Sequence, residues 1–328
     1  MTRTSSPVDD PVRFPGALRD AKDAKDAREE YTRRISTDFD LPTRPEVMLD
    51  ANRVLEGFAP DLHQAIAVIR QDIALAASIL REANRHPLRK GGVTSIGQAV
   101  LLLGIRASRK VVNRLFLKAR MIRRDPLSQE LRTTAIRAAT LTAFAAEQIN
   151  QLSPRCQEGT LPHLDPEEAY TLGLLHDCGI PTLMEWFPEY APLFHTVHDR
   201  HHDDPSCAVS LVQMELEKFG IDHGQVGGLL CQLWKLPKPF CEVVRTHHTF
   251  IEPPTGDDKA SARQRYATTL QCALHIAEWL GHEMPPVEWA LLQPRVSGFL
   301  ALTGHELALI QQAMPVAASV EGMGRDSV

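Results

Sequence analysis

The sequence predicts an all-α fold in two helical lobes, and three observations carry that expectation. Apolar residues recur at steps of three and four along most of the chain, helix caps stand at the ends of those runs, and no segment alternates apolar and polar residues long enough to form a strand. Leu62, Ala65, Ile66, Ile69, Ile73, Ala76, Ala77 and Leu80 share one helical face. Leu131, Ala135, Ala138, Thr142, Ala145, Ala146 and Ile149 share another. Asp165-Pro166-Glu167-Glu168 joins an N-cap acid, a first-turn proline and a capping-box glutamate. Asp204-Pro205 opens a helix that Gly220 closes, Asp222 with Gln225 opens one that ends before Pro237, and Thr303 with Glu306 opens the last.

The expected organisation follows from changes in texture. Residues 1–40 contain the mixed-charge repeat Asp20-Ala-Lys-Asp-Ala-Lys-Asp-Ala-Arg28, which has no apolar stripe and reads as a mobile charged tail. An N-terminal helical lobe is expected over 41–125 and a second lobe over 126–280, divided near Asp125-Pro126. The proline-bearing stretch Ser153 to Pro166 reads as an insertion within the second lobe. Over 281–328, Leu291, Leu292, Phe299, Leu302, Leu307 and Ile310 call for helices that pack back on a lobe, followed by a frayed end.

Composition narrows the function classes. In 328 residues, 36 Lys and Arg against 41 Asp and Glu give a net charge of −5, which weighs against a nucleic-acid coating or a polybasic membrane anchor. Only 6% of residues are aromatic, so stacking on single-stranded nucleic acid is not expected. The start of the chain lacks the apolar run of a secretory signal, and no run reaches membrane-spanning length. The six cysteines form no C-x-x-C pair and read as small core residues of a reducing compartment. A cytoplasmic location is the expectation.

Three groups of residues could carry chemistry. His176-Asp177, placed within the helix that Asp165 caps, offers a nitrogen and a carboxylate oxygen to a divalent metal, with His223 and His247-His248 as further candidates. The plainer alternative ties His176 and Asp177 into a buried hydrogen-bond network that joins helices. In His195-Thr-Val-His198-Asp-Arg-His201-His202, the histidines 198 and 202 lie four apart, a chelating spacing, but a solvated helix end and turn is the expected reading. Arg106, Arg109, Lys110, Arg114, Lys118, Arg120, Arg123 and Arg124 put eight cations in 19 residues without one acid. Arg106, Lys110, Arg114 and Lys118 form a stripe, and Val111, Val112, Leu115 and Phe116 mark a buried opposite side. That stripe reads as a solvated face or as a docking surface for an acidic partner or nucleotide phosphates.

Several blocks in fixed order resemble the HDOD domains, relatives of the HD-domain metal-dependent phosphohydrolases. They are Leu41-Pro-Thr-Arg-Pro-Glu-Val47, Asp72-Ile-Ala-Leu75 with Leu80-Arg-Glu-Ala-Asn84, Thr94-Ser-Ile-Gly-Gln-Ala-Val100 with Leu103-Gly104, Gly173-Leu-Leu-His-Asp177 with Gly179, Phe219-Gly-Ile-Asp-His223, Trp234-Lys-Leu-Pro237 and His247-His248. The resemblance covers about Leu41 to Leu280. It implies a bacterial signal-transduction protein that acts by binding a protein partner, with the groove between its lobes as the interaction surface and without turnover or a resident cofactor. Where catalytic relatives begin their metal set with a histidine this chain has Thr134, and where they end it with an aspartate it has Glu278. The resemblance therefore implies a degenerate pocket of His176, Asp177, His223, His247, His248, Glu278 and Thr134 with an incomplete ligand set, in which the buried hydrogen-bond network is the expectation and a divalent metal held weakly through His176 and Asp177 is the alternative. A metal-dependent phosphohydrolase and a nucleotide or second-messenger sensor are the alternatives.

Overall fold

The computed structural model describes residues 31, 33, 41, 44–56, 61–85, 92–119, 126–152, 164–203, 211–249, 261–280, 303–306 and 308–310. Every regular element among them is helical. The helices are α1 (Pro45–Glu56), α2 (Leu62–Ile69), α3 (Ile73–Asn84), α4 (Ile96–Ala119), α5 (Pro126–Leu152), α6 (Pro166–Leu175), α7 (Gly179–Trp186), α8 (Tyr190–Asp203), α9 (Leu211–Phe219), α10 (His223–Leu233), α11 (Lys238–Arg245) and α12 (Ala262–Leu280). None is long and apolar enough to cross a membrane among the described residues.

Helices α1 to α4 pack on one another, and α5, α6, α7, α10, α11 and α12 form the second group around the long α5. Asp72 shows how the first group is fixed. Its carboxylate caps α3 by accepting from Leu75 N–H at 2.9 Å, and its other oxygen accepts from Arg44 N–H at 3.0 Å. One buried acid thus starts a helix and anchors the Leu41–Val47 segment. Asn84 does the same at the far end of α3, bonding both the N–H and the C=O of Val93.

The two groups meet at Arg70, just past α2. Its guanidinium pairs with Glu147 of α5 at 2.8 Å and Glu167 of α6 at 3.0 Å, and lies 3.9 Å from the centre of the Tyr170 ring. Glu167 also accepts from Ser95 Oγ and Gly97 N–H, so α4 joins the same knot. In the capping box expected at Asp165, the aspartate caps as predicted, but the Glu168 carboxylate is turned to the Tyr266 hydroxyl of α12. Tertiary packing claims that side chain.

Other expectations met corrections. Gly104 interrupts the α4 pattern at φ 68°, a left-handed conformation, so α4 is two helical pieces joined at a kink. Tyr31, within the segment read as a mobile tail, is buried; its hydroxyl donates to Phe219 C=O at 2.8 Å and its ring stacks on Trp186. The rest of 1–40, the Ser153–Pro166 insertion before Leu164, the Asp204-Pro205 helix start and most of 281–328 lie outside the described residues. Thr303 and Glu306 do cap each other reciprocally, as predicted, and Ile310 is buried. Gly220 closes α9 at φ 71°. The four described cysteines, Cys178, Cys231, Cys241 and Cys272, are free and buried.

Helix α10 ends unusually. Leu236 N–H bonds Cys231 C=O and Lys235 takes φ 58°, the left-handed position where glycine is the common occupant. Lys235→Gly should therefore raise stability by about 0.5–1 kcal/mol in chemical unfolding, because only the strain of the side chain is removed.

Candidate metal centre

The HD pair does not sit inside a helix, as its sequence neighbourhood predicts. Helix α6 stops at Leu175, His176 is its C-cap, and Asp177 lies in the turn before α7. Close packing forces that turn. A Cβ on Gly179 would stand 1.9 Å from His223 C=O, and one on Gly173 would stand 2.5 Å from the Ala143 Cα. Backbone therefore lies directly on backbone at both ends of the pair, which brings Asp177 against the start of α10.

The donors converge there. Asp177, His223, His247 and His248 each offer one ligand atom, and these atoms all lie within 4.8 Å of one another. Asp177 Oδ1 is 3.2 Å from His247 Nε2 and 3.5 Å from His223 Nε2, while the Nε2 atoms of His223 and His248 are 2.7 Å apart. His176 stands one step back. Its Nδ1 bonds Gly173 C=O at 2.7 Å, its Nε2 is 3.0 Å from Asp177 Oδ2, and its ring packs edge-on against His247 at 5.2 Å between centroids, so it supports the oxygen that His223 and His247 leave free.

Two further bonds settle the ring orientations. His247 Nδ1 is 2.8 Å from Val244 C=O, and His223 Nδ1 is 2.8–2.9 Å from both carboxylate oxygens of Glu215. Each ring is thereby held with Nε2 turned to the cluster, the nitrogen that would give up its proton to an ion.

Electrostatics follow from burial and contact. Burial works against ionisation of Asp177, but His176, His247 and His223 outweigh it and hold the carboxyl well below its ordinary value. Burial alone would lower His223, yet Glu215 and Asp177 push it up to about 9. His247 goes down, chiefly through burial, and His248 goes down through burial and the adjacent His247 and His223.

The cluster fits a metal ion on its own chemistry. Asp177 Oδ1 faces His247 Nε2 at 3.2 Å and His223 Nε2 at 3.5 Å without a well-aligned hydrogen bond to either, so an ion placed among them would engage buried polar atoms that the fold leaves weakly bonded. Three imidazoles and one carboxylate are a donor set suited to zinc, iron or a similar ion.

Of the residues expected in the pocket, the fold brings His176, Asp177, His223, His247 and His248 together. Thr134 is half-buried on α5. Helices α5 and α6 run antiparallel, with Phe144 against Tyr170 and Ala143 against Gly173. At ~1.5 Å per residue, Thr134 lies about 13 Å along α5 from Ala143, while His176 lies only about 5 Å along α6 from Gly173. Ala139 is nearer the level of His176, and α5 contains no histidine at any position. The side chains of Glu278, Lys118, His198, His201 and His202 lie outside the described residues. The second imidazole of the closing pair, His248, completes the cluster. Glu215 was not foreseen, although an acid between Met214 and Leu216, in register with Leu211 and Phe219, was its visible sign.

An all-α molecule with this ordered pair and closing histidines has the architecture of the HD-related domains. The HDOD domain family model matches residues 41–250, and the chain belongs to that family. Two crystal structures of the MmoQ response regulator from Methylococcus capsulatus str. Bath share the fold. One is 22% identical with a TM-score of 0.60, over 83% of this chain and 98% of that one. The other is 24% identical with a TM-score of 0.61, over 82% and 94%. A Treponema pallidum (strain Nichols) protein described as uncharacterized is 22% identical over 217 residues, which is 66% of this chain. The aligned part spans 39% of that relative's length.

Proposed function

We propose that this protein is a regulatory component of bacterial signalling that acts by binding a protein partner, and that its HD cluster holds one divalent ion as a structural brace without turning over a substrate. The observation that carries the reading is the closed donor set. Asp177, His223, His247 and His248 would offer four protein ligands, the number a structural zinc site takes, whereas catalytic zinc sites keep a position for water. Such an ion would cross-link the HD turn, the start of α10 and the end of α11. Membership of the HDOD family and the fold shared with a response regulator support the signalling role.

The rival reading is a metal-dependent phosphohydrolase, favoured by one feature: His248 is exposed, so the cluster reaches the surface. Assays of the untagged, metal-loaded protein on p-nitrophenyl phosphate and bis-p-nitrophenyl phosphate separate the two. No turnover above the Asp177→Ala variant is expected; turnover that this substitution abolishes would establish the rival.

The partner surface we assign is α4 beyond its kink. Arg106, Arg109 and Lys110 are exposed and make no ion pair with a described residue, while Arg114 is drawn to Glu82 at 3.7 Å. Val111, Val112 and Leu115 are buried beneath them, so the cations are held on a packed helix. Leu101, 61% exposed, and Leu102 stand before the kink. An acidic protein segment with apolar residues fits this face. The double substitution Arg109→Glu, Lys110→Glu should weaken binding of a poly-glutamate peptide about tenfold at low salt and leave the unfolding midpoint unchanged. Equal affinity would remove α4 from the account.

A further inference from the structure

The cluster has a second carboxylate behind it. Glu215 of α9 is fully buried, with 0% of its surface exposed. A buried carboxylate is costly unless donors saturate it, and here the donors are specific. His223 gives two, its backbone N–H at 3.0 Å to Oε2 and its Nδ1 at 2.8–2.9 Å to both oxygens. The third is the Tyr190 hydroxyl of α8, at 2.5 Å to Oε1. Glu215 thus grips the backbone and the ring of one residue, and Tyr190 holds Glu215 in turn.

We propose that Glu215 is the positioning residue of the metal centre, fixing the His223 ring with Nε2 toward Asp177 and supplying the second negative charge that a buried divalent cation needs. This rests on the reading that the cluster holds an ion. Two consequences of the geometry support it. First, His223 Nδ1 faces both Glu215 oxygens, so the ring cannot flip without breaking that contact, and its other nitrogen is committed to the cluster. Second, the charge suits a cation. Asp177 is the single carboxylate among the four donors, so a divalent ion would leave one positive charge there. Glu215, one imidazole away, supplies a negative charge directly behind a ligand, and the buried Asp222 at the start of α10 adds to it. A purely structural acid would need neither the bidentate approach to the ring nor a place directly behind a ligand.

The test uses the untagged full chain with zinc and cobalt as probe ions, measuring affinity by chelator competition. Wild-type protein should take up one equivalent. Glu215→Gln preserves shape while removing charge, and should weaken zinc binding by about 10–100-fold. Tyr190→Phe, which removes one support of the carboxylate, should weaken it several-fold and carries the test if Glu215→Gln does not fold. The change that zinc causes in the ¹⁵N signal of His223 Nε2, the nitrogen turned to the ion, should shrink in both variants, a loss that an acid bracing only the fold would not produce. Unchanged affinity and unchanged His223 signals in a folded variant would overturn the positioning role and leave the metal reading intact. A wild-type chain that binds neither ion would overturn both.

Discussion

Replacing Gly179 with alanine is expected to be among the most damaging single substitutions in this protein. The added methyl would stand 1.9 Å from the carbonyl oxygen of His223 and 3.0 Å from Gly227 N, and both obstacles are backbone, which cannot rotate aside. Overpacking of side chains commonly costs 1–3 kcal/mol; a clash with two main-chain atoms should cost about 3 kcal/mol or more. The urea midpoint should fall accordingly. Zinc binding should be lost too, because the contact sets the distance between the Asp177 turn and the start of α10. Gly104→Ala gives the contrast. Its Cβ would meet nothing within 4 Å, so only the backbone at φ 68° and ψ 173°, a region almost confined to glycine, opposes it, and a loss of about 1–3 kcal/mol is expected.

Arg70→Ala comes second. The substitution removes two ion pairs and a ring contact that tie α2 to α5 and α6, and it strands Glu147, whose side chain is only 12% exposed. Breaking a buried pair from one side costs 3–5 kcal/mol; with Arg70 itself 20% exposed, a loss of about 2–3 kcal/mol is the expected result. Adding Glu147→Gln should recover part of that loss, since the stranded charge goes with it. Strictly additive losses in the double variant would show that the pair contributes nothing.

These two residues also mark where sequence reading succeeds and fails. Helix starts were legible because caps act over three or four residues: Asp165, Asp222 and Thr303 each bond the N–H groups that local spacing predicts. The pairing of His176-Asp177 with His223, His247 and His248 was legible from resemblance in ordered motifs. Local pattern could not place the HD pair in a turn, because the cause is the contact of Gly179 with His223, 44 positions away in the chain. Glu168 likewise satisfied a capping-box pattern and was claimed by Tyr266, a tertiary partner. Arg70 and Glu215 looked like ordinary charges in amphipathic helices. What distinguishes them is burial, complete for Glu215 and partial for Arg70, against partners on other helices, and that depends on how helices distant in sequence cross. Thr134 was a misleading guide for a related reason: counting along α5 cannot reveal which turn of it faces His176.

The missing imidazole on α5 need not leave the proposed centre short of ligands, since His248 Nε2 lies 2.7 Å from His223 Nε2 and would supply another. The sequence predicts no resident cofactor and at most an ion held weakly through His176 and Asp177; the proposed centre would instead take a single ion on one carboxylate and three imidazoles.

X-ray absorption of the zinc-loaded, untagged protein tests that claim most directly. A first shell of four light atoms with the imidazole signature of three histidines is the predicted result, and it should collapse in His247→Ala. A six-coordinate shell, or a second metal at a distance typical of a bridged pair, would contradict it and return the site to hydrolysis.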